Sequence, residues 1–82
     1  MNVEIVTPEK VLFSSEAEMV VCRTTNGDLA FLEGHEPFLG LLSPGKIRVI
    51  NEDVEIAFES TTGFVEVNSH EVRIISDDAK AV

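Results

Sequence analysis

The side chains able to do chemistry are few, and most fall in one run: Gly27-Asp28-Leu29-Ala30-Phe31-Leu32-Glu33-Gly34-His35-Glu36-Pro37-Phe38. Histidine beside carboxylates is a metal-ligand set. Three such residues so close on one loop (Glu33, His35, Glu36) rarely reach a single tetrahedral ion, however, and no second cluster supplies the missing ligands. Nucleophilic catalysis needs an activating base in reach. Ser14, Ser15, Ser43 and Ser60 are available, as are His35 and His70, but no Gly-x-Ser-x-Gly elbow is present. Paired carboxylates would need an enclosed cleft, which a chain of 82 residues scarcely builds. Gly27 and Gly34 stand apart, with no Gly-Lys-Ser/Thr to follow, so no phosphate loop is expected. Cys22 has no activating base adjacent and reads as a small buried hydrophobe. These residues argue against an enzyme, a metal and a cofactor. They leave charge as the useful property: Asp28, Glu33 and Glu36 would give a protruding loop a negative tip that steers and orients a basic partner. Asp28 could equally serve only to stabilise the turn after Asn26-Gly27, and His35 is expected to be a structural turn residue.

The whole chain is acidic, with fifteen Asp and Glu against six Lys and Arg and a net charge of −9. Phosphate backbones are bound by Lys and Arg, so nucleic acid is excluded as a partner, and anionic lipid is disfavoured on the same ground. One cysteine cannot form an internal disulfide, which points to a reducing compartment. No apolar run is long enough to cross a bilayer and no secretory signal opens the chain, so direct membrane insertion is not expected.

The elements that must position the charged run are strands, and the run itself reads as a short strand followed by a shaped, charged loop. Val3 and Ile5 alternate with Asn2 and Glu4, and Val11-Leu12-Phe13 forms a second apolar patch closed by Ser14-Ser15. The segment 18–25 puts Val20, Cys22 and Thr24 on one face and Met19, Val21 and Arg23 on the other. Asn26-Gly27 is a tight-turn pair. Leu39-Gly40-Leu41-Leu42 is stopped by Ser43-Pro44-Gly45. A meander follows: 46–50, then Val54, Ile56 and Phe58 facing inward, then Val65 and Val67, then Val72 and Ile74. The tail 78–82 has lost the alternation and reads as the start of a helix or a frayed end, with the folded domain ending at 77. About eight to ten short strands without a helix predict an all-β, antiparallel sandwich or flattened barrel.

Four segments carry a resemblance to a known family. They are Val3-Glu4-Ile5-Val6-Thr7-Pro8-Glu9-Lys10-Val11-Leu12-Phe13-Ser14; Gly27 to Leu39, similar to a GDLGILPGHAPLL signature; Leu42-Ser43-Pro44-Gly45-Lys46-Ile47-Arg48; and Gly63-Phe64-Val65-Glu66-Val67 with Val72-Arg73-Ile74-Ile75-Ser76-Asp77. In order and over almost the full length, the chain resembles the N-terminal β-sandwich domain of the epsilon subunit of F-type ATP synthases. Ala30, Glu33, Glu36 and Thr62 stand where the pattern has glycine, proline, alanine and glycine.

The resemblance implies a non-catalytic rotor subunit at the foot of the central stalk, packed on the gamma subunit and resting on the polar loops of the c-ring. It would help couple ion flow to ATP synthesis, as a peripheral component at the cytoplasmic face of a bacterial plasma membrane. It assigns Asp28 to the c-ring contact, with Gly27, Leu29, Gly34, His35 and Pro37 shaping or flanking it. Met19 and Val21, as outward apolar positions, are expected toward gamma. Relatives usually continue into a C-terminal helical hairpin, which would begin where this sequence stops. The competing reading is an unrelated acidic β-module for protein or ligand binding.

Overall fold

The computed structural model describes all 82 residues, and they form ten strands and no helix. They are β1 (Asn2–Val6), β2 (Val11–Glu16), β3 (Met19–Thr24), β4 (Gly27–Leu32), β5 (Phe38–Leu42), β6 (Gly45–Asn51), β7 (Val54–Ser60), β8 (Gly63–Val67), β9 (Glu71–Ser76) and β10 (Ala79–Ala81). Pairing runs β10-β7-β6-β3-β5-β8-β9-β1-β2, with β4 on the other edge of β3. The sheet folds over at the single β3–β5 pair, Thr24 with Leu42, so that β4, β3, β6, β7 and β10 face β5, β8, β9, β1 and β2. Phe13 of β2 and Phe58 of β7 meet edge-on across the gap, with ring centroids 6.3 Å apart. The sandwich expected from periodicity is present, with one departure from an antiparallel plan: β1 lies parallel to β9, from Asn2 opposite Glu71 to Val6 opposite Ile75.

Alternation decides what is buried. Val3 and Ile5, Val20 and Cys22, Ile47 and Val49, Val65 and Val67, and Val72 and Ile74 all point into the gap and are sealed from solvent. Phe31 of β4 is the largest side chain with no exposure at all. Burial pushes the Cys22 thiol up to about 12, helped by the negative charge of Asp28, so the thiol is neutral and structural. Three buried hydroxyls each find a carbonyl: Thr24 at Gly27, Ser60 at Gly45 and Ser76 at Asp78.

Several boundaries differ from the reading by pattern. Strand β2 continues through Ser14 and Ser15, because β1 pairs with them in register. On β7 the inward side is covered only toward its C-terminal end, at Phe58 and Ser60; Val54 and Ile56 share that side but stay 59% and 41% exposed. The tail is neither helical nor frayed, for Ala79–Ala81 pairs with Phe58–Ser60. The cause is the preceding turn: Asp78 N–H donates to the hydroxyls of Thr61 and Ser76, and Thr61 N–H donates back to the Asp78 carbonyl. This redirects the chain along the β7 edge.

Gly63 opens β8 where three strands crowd together. A Cβ there would lie 1.9 Å from the Ile75 carbonyl oxygen, so no side chain fits. Its neighbour Thr62 is exposed and bonds Asp77. Gly63→Ala should therefore lower stability by about 1–3 kcal/mol through overpacking. Thr62→Gly should stay within about 0.5 kcal/mol, like most surface changes. Urea unfolding midpoints with unchanged slope measure both; equal effects would mean the clash relaxes away.

Candidate functional site

The run from Gly27 to Phe38 is not one loop. Its first half is strand β4, and strands rise about 3.3 Å per residue, so Asp28 and Glu33 are roughly 16 Å apart. Asp28, Glu33 and Glu36 therefore do not share a tip, contrary to the expectation from sequence, because the four β4 residues from Leu29 to Leu32 intervene. The structure divides the candidate residues into two groups at opposite ends of that strand.

Gly27, Asp28 and Leu29 form the first group, at the β3–β4 turn. Gly27 sits at φ +102°, a left-handed conformation that costs glycine little. Thr24 clamps the turn: its hydroxyl donates to the Gly27 carbonyl at 2.9 Å and accepts the Asn26 N–H at 3.0 Å. This fixes the register that sets Asp28 opposite Arg23, whose Nε donates to Oδ1 at 3.0 Å. Both side chains are more than half exposed. Leu29, opposite Cys22, packs partly buried against the core.

The second group, Gly34, His35 and Pro37, lies in the connection from β4 to β5. Gly34 turns the chain at φ +82°. His35 Nδ1 donates to the Glu36 carbonyl at 2.7 Å, and its ring meets Phe31 edge-on at 4.9 Å. The histidine thus closes the turn against the largest core residue, the structural role expected of it. Pro37 lines a shallow open depression of about 500 Å³ with Phe38, Leu39, Glu66 and Arg73.

Glu33 has a role that sequence reasoning missed. One carboxylate oxygen lies 2.8 Å from the α-amine of Met1 and the other accepts from His70 Nδ1 at 2.8 Å. Gly34 N–H donates to the Ser69 carbonyl at 2.8 Å. The amine also donates to the Ala17 carbonyl, and Glu16 stands 3.4 Å away. Chain terminus, loop and β8–β9 turn are so fastened together where the resembling pattern has a stiff proline. The hydrogen bond from the amine, then that from His70, holds Glu33 below the usual carboxylate range. Glu33 in turn raises the amine above its ordinary value, against the opposing effect of burial.

On the outer faces, Met19 and Val21 are half-buried. They are flanked by Ala30 and Leu32 of β4 and by Arg48 and Ile50 of β6. Nearby, Arg48 and Glu55 form a two-pronged pair, Nε to Oε2 and Nη2 to Oε1, both 2.9 Å. A larger apolar feature lies on the other layer, and sequence reasoning missed it as well. Leu41, Phe64, Ile75, Val6 and Val11 are successive partners across β5, β8, β9, β1 and β2, forming one outward row. Leu41, Phe64 and Val11 are 51%, 53% and 58% exposed, and Leu39 beside them 73%. Each strand pattern showed its own outward apolar residue; only the pairing aligns them.

The Glu33 anchor makes the loop sensitive to pH from both sides. Glu33, lowered from 4.5, contributes above that value and loses its contribution as pH falls through the lowered one. The amine, raised from 8.0, contributes below 8.0 and loses its contribution as pH rises through the raised value. Protection of the Gly34 amide, corrected for intrinsic exchange, should peak between these limits, and Glu33→Gln should flatten the profile. NMR hydrogen exchange measures it; a profile indifferent to Glu33→Gln would detach the loop from its anchor.

Comparison with known proteins agrees with this architecture. The model of the ATP synthase delta/epsilon chain β-sandwich domain matches residues 1–82. The ATP synthase epsilon chain of Frankia casuarinae is 46% identical over 81 residues, covering 98% of this chain and 95% of that protein. The epsilon chain of Desulforudis audaxviator is 42% identical over 96% of this chain. That of Brevibacillus brevis is 36% identical over 98%. This chain spans 58% and 61% of the length of those two. A chain in the cryo-EM structure of the Euglena gracilis mitochondrial ATP synthase, solved with its c-ring, superposes with a TM-score of 0.89. It is 24% identical, and the match covers 96% of this chain and 51% of that one, a likeness of fold. Strand order, turn glycines and whole-length matches lead to one assignment: the chain belongs to the β-sandwich domain family of ATP synthase delta/epsilon chains, the epsilon chain being a non-catalytic subunit of that enzyme.

Proposed function

We propose that this domain is a rotor-side coupling piece of the ATP synthase central stalk, fastened to the gamma subunit by one face and to the polar loops of the c-ring by one end. The observation that carries the reading is the five-strand apolar row through Leu41, Phe64, Ile75, Val6 and Val11. An aligned, exposed apolar strip on a small domain marks a surface that another protein covers. Its greater exposure favours it over the Met19–Val21 patch as the gamma-facing surface. The c-ring contact is assigned to the Asp28 end, where a charged pair stands on a clamped turn. The sandwich supplies stiffness, since close-packed interiors transmit force without yielding. The setting is peripheral, at the cytoplasmic face of a bacterial plasma membrane, and no helix is long and apolar enough to cross it.

Titration against purified gamma subunit tests the face. Phe64→Glu should cost about 2 kcal/mol of binding, the size expected of a central aromatic anchor. Met19→Glu should cost much less; the reverse order would move the gamma surface to the other layer. Asp28→Lys should leave gamma binding and folding intact yet weaken coupling of proton flow to ATP synthesis in reconstituted membranes. Unimpaired coupling would remove Asp28 from the contact.

A further inference from the structure

The Asp28 end is not a bare anion. Arg23 is its direct cross-strand partner, and the two make one hydrogen bond, Nε to Oδ1 at 3.0 Å. A guanidinium has five N–H donors and a carboxylate two oxygens. Both terminal nitrogens of Arg23 and the Oδ2 of Asp28 make no hydrogen bond within the protein, and the side chains are 58% and 64% exposed. Arg48 and Glu55, on the outer face of the same layer, show the closed alternative in which two prongs meet two oxygens. Arg73 and Glu4 also make a single contact, but on the opposite layer.

The open pair is held in place. The Arg23 stem crosses over Gly45, where an added Cβ would touch its Cβ at 3.4 Å and its Cδ at 3.5 Å. Beneath it, Arg23 accepts a backbone hydrogen bond from Ser43 at 2.9 Å. Thr24, 3% exposed, fixes the turn that presents Asp28.

We propose that Arg23 is a specificity-determining residue of this end. With Asp28 it forms a half-filled ion pair that selects a partner loop offering a cation and a hydrogen-bond acceptor side by side. A loop that is merely basic would satisfy Oδ2 but bring like charge against Arg23. A loop carrying both would place its cation on Oδ2 and its acceptor on the free guanidinium prongs, a carboxylate through two parallel bonds and a carbonyl through its single oxygen. This rests on the reading that the Asp28 end meets the c-ring loops, and it specifies the chemistry that those loops must show.

The test is binding of the full chain, in complex with gamma, to purified c-rings in detergent across a series of salt concentrations. Unfolding midpoints of the same variants serve as the folding control. If Asp28 acts as a lone anion, Arg23→Gln uncovers it and binding tightens. On our proposal Arg23→Gln weakens binding about fivefold to tenfold and flattens the salt dependence, and Arg23→Lys, which keeps the charge but cannot fork, restores the salt dependence and little of the affinity. Asp28→Asn weakens binding in both cases. Arg23→Gln binding as tightly as the parent or more tightly, with Asp28→Asn impaired, overturns the role of Arg23 and leaves the docking reading standing. If Asp28→Asn is without effect as well, the docking reading fails at this end and the inference falls with it.

Discussion

A strand in a two-layer sandwich has two faces, and hiding one fixes what the other shows. That constraint governs this molecule. The register that seats Val65 against Ile74, and Ile74 against Ile5, also lines up Phe64, Ile75 and Val6 on the outside. A slip of one residue at any of these pairings would turn the core outward and scatter the row. The same rule holds on β3, where burying Val20 and Cys22 obliges Arg23 to face solvent opposite Asp28. The surfaces proposed for docking are thus by-products of the core, with no separate loop built for them.

Loops matter less than their composition suggests. The segment 33–37 carries a glycine, a histidine, two acids and a proline, yet apart from the exposed Glu36 carboxylate its polar side chains are spent internally. Glu33 is taken by Met1 and His70, His35 by the Glu36 carbonyl, and the Gly34 amide by Ser69. Replacement of a stiffening proline by Glu33 comes with a set of ion pairs that tie the loop by other means. At the far end of β4, Asp28 keeps one oxygen beyond its bond to Arg23.

How much of this was legible in the chain follows from the range of each interaction. Local signals read well: Asn26-Gly27 gave a hairpin, and the alternation in Val3 to Ile5 and Val72 to Ile74 gave buried strands. The tail was misread because three residues of Ala79–Ala81 are too few for a period, and its course is set by hydroxyls on Thr61 and Ser76. The short strand expected in the run is present as β4, but it is long enough to carry Asp28 and Glu33 to its two ends and so to split the single tip expected for them. The Glu33–His70 contact spans 37 positions, and no pattern announces it. The outward apolar row needs five strands in register, three of its four joints being between strands that are not chain neighbours or depend on a bulge at Val6.

The parallel seam between β1 and β9 bears on how the molecule comes to exist. Residues 2–6 are made well before their partners at 71–75. During synthesis the opening segment has only β2 beside it, with one hydrogen-bonding margin bare until β9 is made. Pairings so distant along the chain carry a large loop-closure cost and are slow to form. Assembly of the sandwich is therefore held open until β9 arrives, and the nascent domain carries an unprotected sticky margin up to that point.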